Sequence, residues 1–422
     1  MLEGFRRPRA ASLSAMPSSD PTASADPTRG LRALTFAFAL SQFFRTCLAV
    51  IAPELQHDLG LSPAGFGALS SCFFLAFAVA QIPIGIAFDR YGVGAPTRLL
   101  MAVGVFASVL FVVAPNGATA MVAQAGLGLA CAPVFMGLMH FASEQLPVAR
   151  YTTAVGRASA IAMLGALCAT APLGWAAHQF GWRPALAVAA LCMLAACIGT
   201  WRDVRDTGHA DARAETPMNL LLGSARLLKV PALWTLIPLC VAMAAGTAFR
   251  NAWGGPYLAE VYGLAAGPRG LALTFVSLGA FATALLLPKL VWRHSVRKTV
   301  LYWSLLSLGG GALLSAWPAG GLWSSVALLT VLATIGMLHP LVMTHGRSMV
   351  PQALRGRGLG VLNTFVFLGS AVTSWAFGLI ADAGQRHGAS APGTYAGIFG
   401  CATVLVLIGV LFYARSPRIA PG

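Results

Sequence analysis

The sequence predicts an all-α membrane protein with twelve transmembrane helices in two pseudo-symmetric six-helix bundles. Three observations lead there. Mean hydropathy is +0.74, with 57% hydrophobic and 10% charged residues over 422 positions, whereas a soluble globule carries about 25% charged residues. Twelve apolar runs are long enough to cross a bilayer core of about 30 Å. Two short patterns recur at almost one offset, as a duplicated six-helix unit requires.

The runs lie at 33–53, 64–88, 98–115, 119–142, 152–176, 183–201, 232–257, 269–291, 298–317, 321–345, 358–381 and 394–414. Pro53-x-Leu55-x4-Gly60-Leu61 follows the first run and returns as Pro256-x-Leu258-x4-Gly263-Leu264 after the seventh, 203 residues later. Pro147-x-Ala149 after the fourth returns as Pro351-x-Ala353 after the tenth, at a shift of 204. The expected organisation is a disordered cytoplasmic tail (1–32), an N-terminal bundle (33–201), a polar cytoplasmic linker (202–231), a C-terminal bundle (232–414) and a short cytoplasmic tail (415–422). The first thirty residues, rich in Ser, Ala, Pro and Arg, lack an apolar core of their own, and no cleavable leader is read; the first span is expected to direct insertion.

A net charge of +15 would suggest nucleic acid in a soluble chain, but its distribution is topological. With the N-terminus inside, 23 of the 28 Lys and Arg fall in cytoplasmic segments, and only Arg183, Arg269 and Arg386 fall outside. That asymmetry predicts a plasma (bacterial inner) membrane protein, multi-pass, with both termini cytoplasmic, and sets nucleic acid aside. All eight cysteines lie in apolar runs, which predicts packing residues without disulfides.

The remaining two basic residues, Arg45 and Arg250, interrupt the first and seventh runs. Arg45 precedes Glu54 by nine residues and Arg250 precedes Glu260 by ten, which places both roughly 15 Å below the outer surface, near mid-bilayer. An arginine at that depth costs about 2.5–3.5 kcal/mol on the lenient insertion scale, so it faces a protein cavity and meets an anion. No Asp or Glu lies at mid-span to answer them: Glu54 and Glu260 are external, while Asp89 and Glu144 lie toward the inner end. Two planar, bidentate cations, two residues out of register with the repeat and so near-equivalents, suit a carboxylate or phosphate. The opposing expectation is that each snorkels or caps helix carbonyls. Gln42 and Trp253, one turn from the two arginines, and Asn251 beside Arg250 complete the candidate substrate site. His140 on the fourth span and His339 on the tenth are candidates for binding substrate or carrying a coupling proton, against ordinary packing; His345, close to Arg347, is expected to be solvated.

Gly85-x3-Asp89-Arg90-x-Gly92 followed by Arg98, Gly181-Trp182-Arg183, and the LRGRGLGVLN run from Leu354 to Asn363 resemble the signature segments of the major facilitator superfamily. The resemblance covers nearly the whole chain beyond the tail. It implies the major facilitator fold, secondary transport, and a gating role for Gly85, Asp89, Arg90, Gly92 and Arg98 in inner-side contacts that hold an outward-open state. The second-half counterpart, LPKLVWRHSVRK from Leu287 to Lys298, lacks the acid. Arg45 with Pro53, and Arg250 followed by Trp253, Pro256, Tyr257, Leu258 and Glu260, look like the organophosphate:phosphate antiporters; the surroundings of Arg45 are also similar to the anion:cation symporters.

The expected function is secondary active transport of a small organic anion, a carboxylate or phosphate ester, as anion exchange or proton-coupled symport. The expected partners are that anionic small molecule, the lipid bilayer and protons as coupling ion, in a monomer. No HExxH, GxSxG, GxGxxG or Walker motif is present, so the chain is not read as an enzyme or an ATP-driven pump, and no cofactor or metal is expected. Three alternatives stay open: a drug or metabolite efflux antiporter, although residues 118–130 carry no arginine where drug/proton antiporters have one; an anion sensor built like a transporter; and a copper importer using His339-x3-Met343, His345-x3-Met349, Met136, Met139 and His140.

Overall fold

Serines, asparagines and glycines at the ends of the apolar runs set the helix boundaries in the computed structural model, which describes residues 27–204, 230–350 and 355–417. Ser62 accepts the Gly65 N–H at 3.1 Å to cap one long helix, with Pro63 in its first turn. Asn116 and Ser390 do the same for Thr119 and Gly393. Gly60 and Gly263, the matched glycines of the repeat, both end their helices in the left-handed conformation, at φ 60° and 68°. A repeat legible as spacing is therefore built as equivalent caps.

The first bundle comprises α1 (Pro27–Thr46), α2 (Leu48–Leu59), α3 (Pro63–Tyr91), α4 (Gly94–Val112), α5 (Gly117–Gln145), α6 (Val148–Cys168), α7 (Ala171–Phe180) and α8 (Trp182–Asp203). The second comprises α9 (Pro231–Trp234), α10 (Ile237–Ala248), α11 (Gly254–Tyr262), α12 (Ala266–Arg293), α13 (Val296–Ala316), α14 (Leu322–Ala333), α15 (His339–Met349), α16 (Arg355–Arg386) and α17 (Ala391–Tyr413). Among the described residues, eleven helices or helix pairs are long and apolar enough to cross a membrane, and α1 with α2, bent by 52°, makes a twelfth span. Helix α1 begins at Pro27, so residues 27–32 are helical where a disordered tail was expected. Residues 1–26, most of the linker (205–229) and the Pro351-x-Ala353 pattern lie outside the described residues.

The first span of each bundle breaks at mid-height. The α1–α2 bend falls at Cys47, and α10 joins α11 through a π-helical turn, Phe249–Trp253. Pro53 and Pro256 lie just beyond these breaks, where the ring removes a backbone donor and loosens the ladder. In the tenth span a 3₁₀ turn, Thr334–Leu338, precedes His339.

The end of the molecule bearing Glu54 and Gly263 is called upper here, and the end bearing Arg90, Arg150 and Arg347 lower. The bundles are joined along the upper half, where small residues let backbones touch. A Cβ on Gly255 would fall 1.5 Å from the Ala49 carbonyl, and glycine Cα atoms meet glycine positions across Gly67/Gly378 and Gly174/Gly270. Ser71 donates to the Ala371 carbonyl at 2.6 Å, and Thr274 donates to Thr170 at 2.8 Å. Toward the lower end, nothing lies within 4 Å of where a side chain would begin at Gly85 or Gly360.

Within the first bundle, a Cβ on Gly165 would lie 1.9 Å from the Ala39 carbonyl, whereas one on Gly156 would meet nothing within 4 Å. Gly165→Val should therefore lower the thermal unfolding midpoint, by an overpacking strain of about 1–3 kcal/mol, and Gly156→Val should not. A tryptophan-fluorescence melt of both variants in detergent checks this.

Candidate substrate site

Arg45 occupies the last turn of α1, two residues before the bend. Its guanidinium carbon stands 4.9 Å from the Phe77 ring centroid on α3 and 5.1 Å from that of Phe367 on α16. The two rings, one from each bundle, are 4.1 Å apart. A helix C-terminus contributes about 0.3–1 kcal/mol to a cation, and each aromatic face about 0.5–2 kcal/mol when desolvated. Together these offset most of the insertion penalty. They hold the charge without neutralising it.

Arg250 lies in the π turn, half-buried, in the first span of the second bundle as Arg45 is in that of the first. The Nε of each arginine is buried with no protein acceptor. Among the described residues neither forms an ion pair; the pairs found are His57–Asp58, Arg269–Glu54 and Arg386–Asp382. The expectation that the arginines cap helix carbonyls finds no support in these contacts. Asn251, 3% exposed, also carries a buried side-chain oxygen without a partner. Gln42 is half-buried.

One turn below the Phe77–Phe367 pair, a chain of polar groups crosses between the bundles. Asn363 Nδ2 donates to Gln81 Oε1 at 2.9 Å, and Asn363 Oδ1 lies 3.0 Å from His339 Nε2. Since that oxygen accepts, the His339 proton sits on Nε2. Gln81 Nε2 in turn reaches the Phe77 carbonyl at 3.4 Å. His339 thus belongs to the polar chain that crosses between the bundles. Gln81 and Asn363 were not expected. Their signal in the sequence is an amide inside an otherwise apolar run, which a bilayer core tolerates only where it finds a partner.

The other expected residues are placed elsewhere. Trp253 is 1% exposed and its indole N–H donates to Ser374 at 3.0 Å, with Phe66 and Phe377 packed against the ring. It belongs to the sealed upper half. His140 stands beside Phe88, 5.9 Å between ring centres, near the lower end of α5. His345 is not solvated but fully buried, with Nδ1 2.7 Å from the Tyr413 hydroxyl and Nε2 3.0 Å from the Pro417 carbonyl. His339 and His345 are therefore drawn into hydrogen bonds with protein oxygens, not toward the methionines that the copper reading requires. Of the expected gate, Gly92 ends α3 at φ 74°, Arg90 is exposed with its guanidinium 5.3 Å from the Tyr91 ring, and Arg98 donates to the Gly94 carbonyl at 3.2 Å. The side chain of Asp89 lies outside the described residues.

A second charged contact spans the bundles at the upper end. Arg269 at the start of α12, 1% exposed, donates to the Val50 carbonyl at 2.8 and 2.6 Å, to the Leu264 carbonyl at 3.0 Å, and to the Glu54 carboxylate at 2.5–2.7 Å. With the glycine contacts, it closes the molecule above the two arginines.

A family model described as the Major Facilitator Superfamily matches residues 34–374. The chain is 25% identical over 208 residues to the "Probable L-galactonate transporter" of Escherichia coli (strain K12), covering 48% of this chain and 45% of that protein. It is 26% identical over 154 residues to the "Probable galactarate/D-glucarate transporter GudP" of Bacillus subtilis (strain 168), covering 34% and 33%. The chain thus spans less than half the length of these curated relatives. The crystal structure of the nucleoside transporter NupG is similar at a TM-score of 0.75 and 12% identity, over 92% of this chain and 98% of that one. A bacterial homolog of the human lysosomal transporter Spinster, inward-facing and occupied, is similar at 0.72 and 16%, over 94% and 100%. At these identities the structural likeness shows the fold alone. The family model runs through both bundles, so the chain belongs to the Major Facilitator Superfamily, whose relatives here are membrane transporters and not enzymes.

Proposed function

We propose that the chain is a secondary transporter of a small polyhydroxylated carboxylate, a sugar acid, working by alternating access in a bacterial inner membrane with both termini in the cytoplasm. The observation that carries this reading is the pair Arg45 and Arg250, one from each bundle, half-buried at mid-height with Nε buried and without an acidic partner among the described residues. The names of the relatives, transporters of galactonate, of galactarate and glucarate, and of hexuronate, favour a carboxylate over a phosphate ester.

The substrate carboxylate bridges the two guanidiniums, removes their mutual repulsion and thereby lowers the free energy of closing the bundles around the site. Its hydroxyls exchange with the Gln81–Asn363–His339 chain, whose members satisfy one another when no substrate is bound. The basic lower end faces the cytoplasm, so the conformation described, closed above and open at Gly85 and Gly360, is inward-facing. The Asp89–Arg90–Arg98 segment serves the opposite, outward-open state. Movement is coupled either to a counter-anion or to a proton, carried by His339, His140 or the substrate itself.

Proteoliposome counterflow tests the reading: labelled galactarate or glucuronate should exchange for unlabelled sugar acid. A protein that binds and moves no carboxylate, while exporting a cationic drug or exchanging only phosphate esters, would overturn it. Gln81→Ala and Asn363→Ala should each weaken half-saturation for a hexose-derived acid by about fivefold, as one hydrogen bond is worth about 1 kcal/mol. Neither should change it for lactate, and paired uptake titrations measure the difference.

A further inference from the structure

Away from the seam, α4 and α8 leave a groove of about 450 Å³ on the outer face of the first bundle, lined by Ala102 and Val105 from α4 and by Leu194, Cys197, Ile198, Trp201 and Arg202 from α8. It lies among side chains that face lipid: Phe106 is 72% exposed and Leu191 66%. The groove is apolar until its lower end. From Leu194 to Arg202 it follows α8 for roughly 12 Å, and Ala102 stands roughly 12 Å above the start of α4 at Gly94, so it occupies one leaflet's depth. At its mouth Arg202, one residue before the end of α8, and the 57%-exposed Trp201 face outward. The Arg98 guanidinium, already engaged with the Gly94 carbonyl, lies 5.9 Å from the Trp201 ring. Asp203 follows in the chain, but successive helical side chains diverge by about 100°, which leaves the mouth basic.

We propose that this groove binds one anionic phospholipid of the lower leaflet, with an acyl chain along Val105, Leu194 and Ile198 and the headgroup phosphate at Arg202 beside the Trp201 indole. Charge complementarity selects the occupant. An indole at headgroup level and an arginine at a helix end both suit a lipid phosphate, and an apolar trough of that depth suits its chain, whereas a soluble anion would gain nothing from the trough.

Trp201 is the reporter. In nanodiscs containing an equal fraction of brominated phosphatidylglycerol or brominated phosphatidylcholine, the emission lost in Trp201→Phe identifies the Trp201 signal. That signal should be quenched by the anionic lipid with about fivefold higher apparent affinity. Arg202→Gln should bring the two lipids level. Ala102→Phe, which fills the groove at an exposed position, should reduce quenching by both. Equal quenching in the unmodified protein, a preference that survives Arg202→Gln, or a Trp201 signal that responds equally to inorganic phosphate would each overturn the assignment. Matched melting temperatures of the variants exclude misfolding as a cause.

Discussion

Arg250→Leu is expected to abolish carboxylate counterflow while leaving the empty protein more stable than the unmodified one. The two halves of this result have opposite signs for one reason. Among the described residues Arg250 meets no carboxylate, no aromatic face and, at Nε, no acceptor to offset its desolvation, so replacing it with an apolar side chain removes a burial penalty of about 2.5–3.5 kcal/mol, less whatever the half-buried head recovers from water. Binding loses a charge-assisted, bidentate contact at a desolvated site, about 2–5 kcal/mol, which is a weakening of about 30-fold or more. Arg45→Leu should lose binding to the same degree with a smaller gain in stability, because Phe77 and Phe367 already stabilise that cation. The lysine variants should keep the charge but lose most of the affinity, since an ammonium cannot grip a planar carboxylate in two places. Thermal melts with and without sugar acid read both quantities. If Arg250→Leu destabilises the empty protein and ligand still raises its melting temperature, the arginine is a structural strut and the substrate assignment fails.

Breaking the Glu54–Arg269 contact should have the second largest effect, on the balance of conformations. Removing one partner of a buried pair costs about 3–5 kcal/mol. Glu54 is 35% exposed, so screening reduces this to about 2 kcal/mol for Glu54→Gln, and the Val50 and Leu264 carbonyls still serve Arg269. An interaction of that size, present only in the closed-above state, shifts the equilibrium toward the open-above state by about 30-fold. Spin labels on His57→Cys and Ala265→Cys, exposed on opposite bundles, in a background without the native cysteines, should report a longer distance in Glu54→Gln. An unchanged distance distribution would mean that the glycine contacts alone hold the upper end.

The fold and the two arginines could be read in the sequence because each is a local signal. An apolar run of spanning length has few alternatives, and a cation inside one is conspicuous against its own neighbours. The parts that could not be read depend on pairs remote in sequence or on departures from ideal helix geometry. Trp253 was placed with Arg250 because three residues make nearly one α-helical turn; the π turn at Phe249–Trp253 closes over five residues, so the ring leaves that face and enters the upper seal. Arg269 counted as one more external cation until the fold brought Glu54, 215 positions away, to meet it. His345 sits in a polar-looking stretch beside Arg347, and only the return of α17 buries it under Tyr413. Gln81 and Asn363 are each a single amide in a greasy helix, and their meaning comes from facing each other across the seam.

The places where the two bundles touch in the upper half are mostly bare: Gly255 against Ala49, Gly67 against Gly378, Gly174 against Gly270. At these three places no side chain protrudes, so the backbones can part and meet again without a rotamer change; Arg269 against Glu54 and Phe66 against Trp253 are side chains that do cross the seam. The few hydroxyls that stitch them, Ser71 and Thr274, can hand their bonds to water as the gap widens. A joint of this kind combines close contact with a low barrier to separation, as the alternating access proposed above would require.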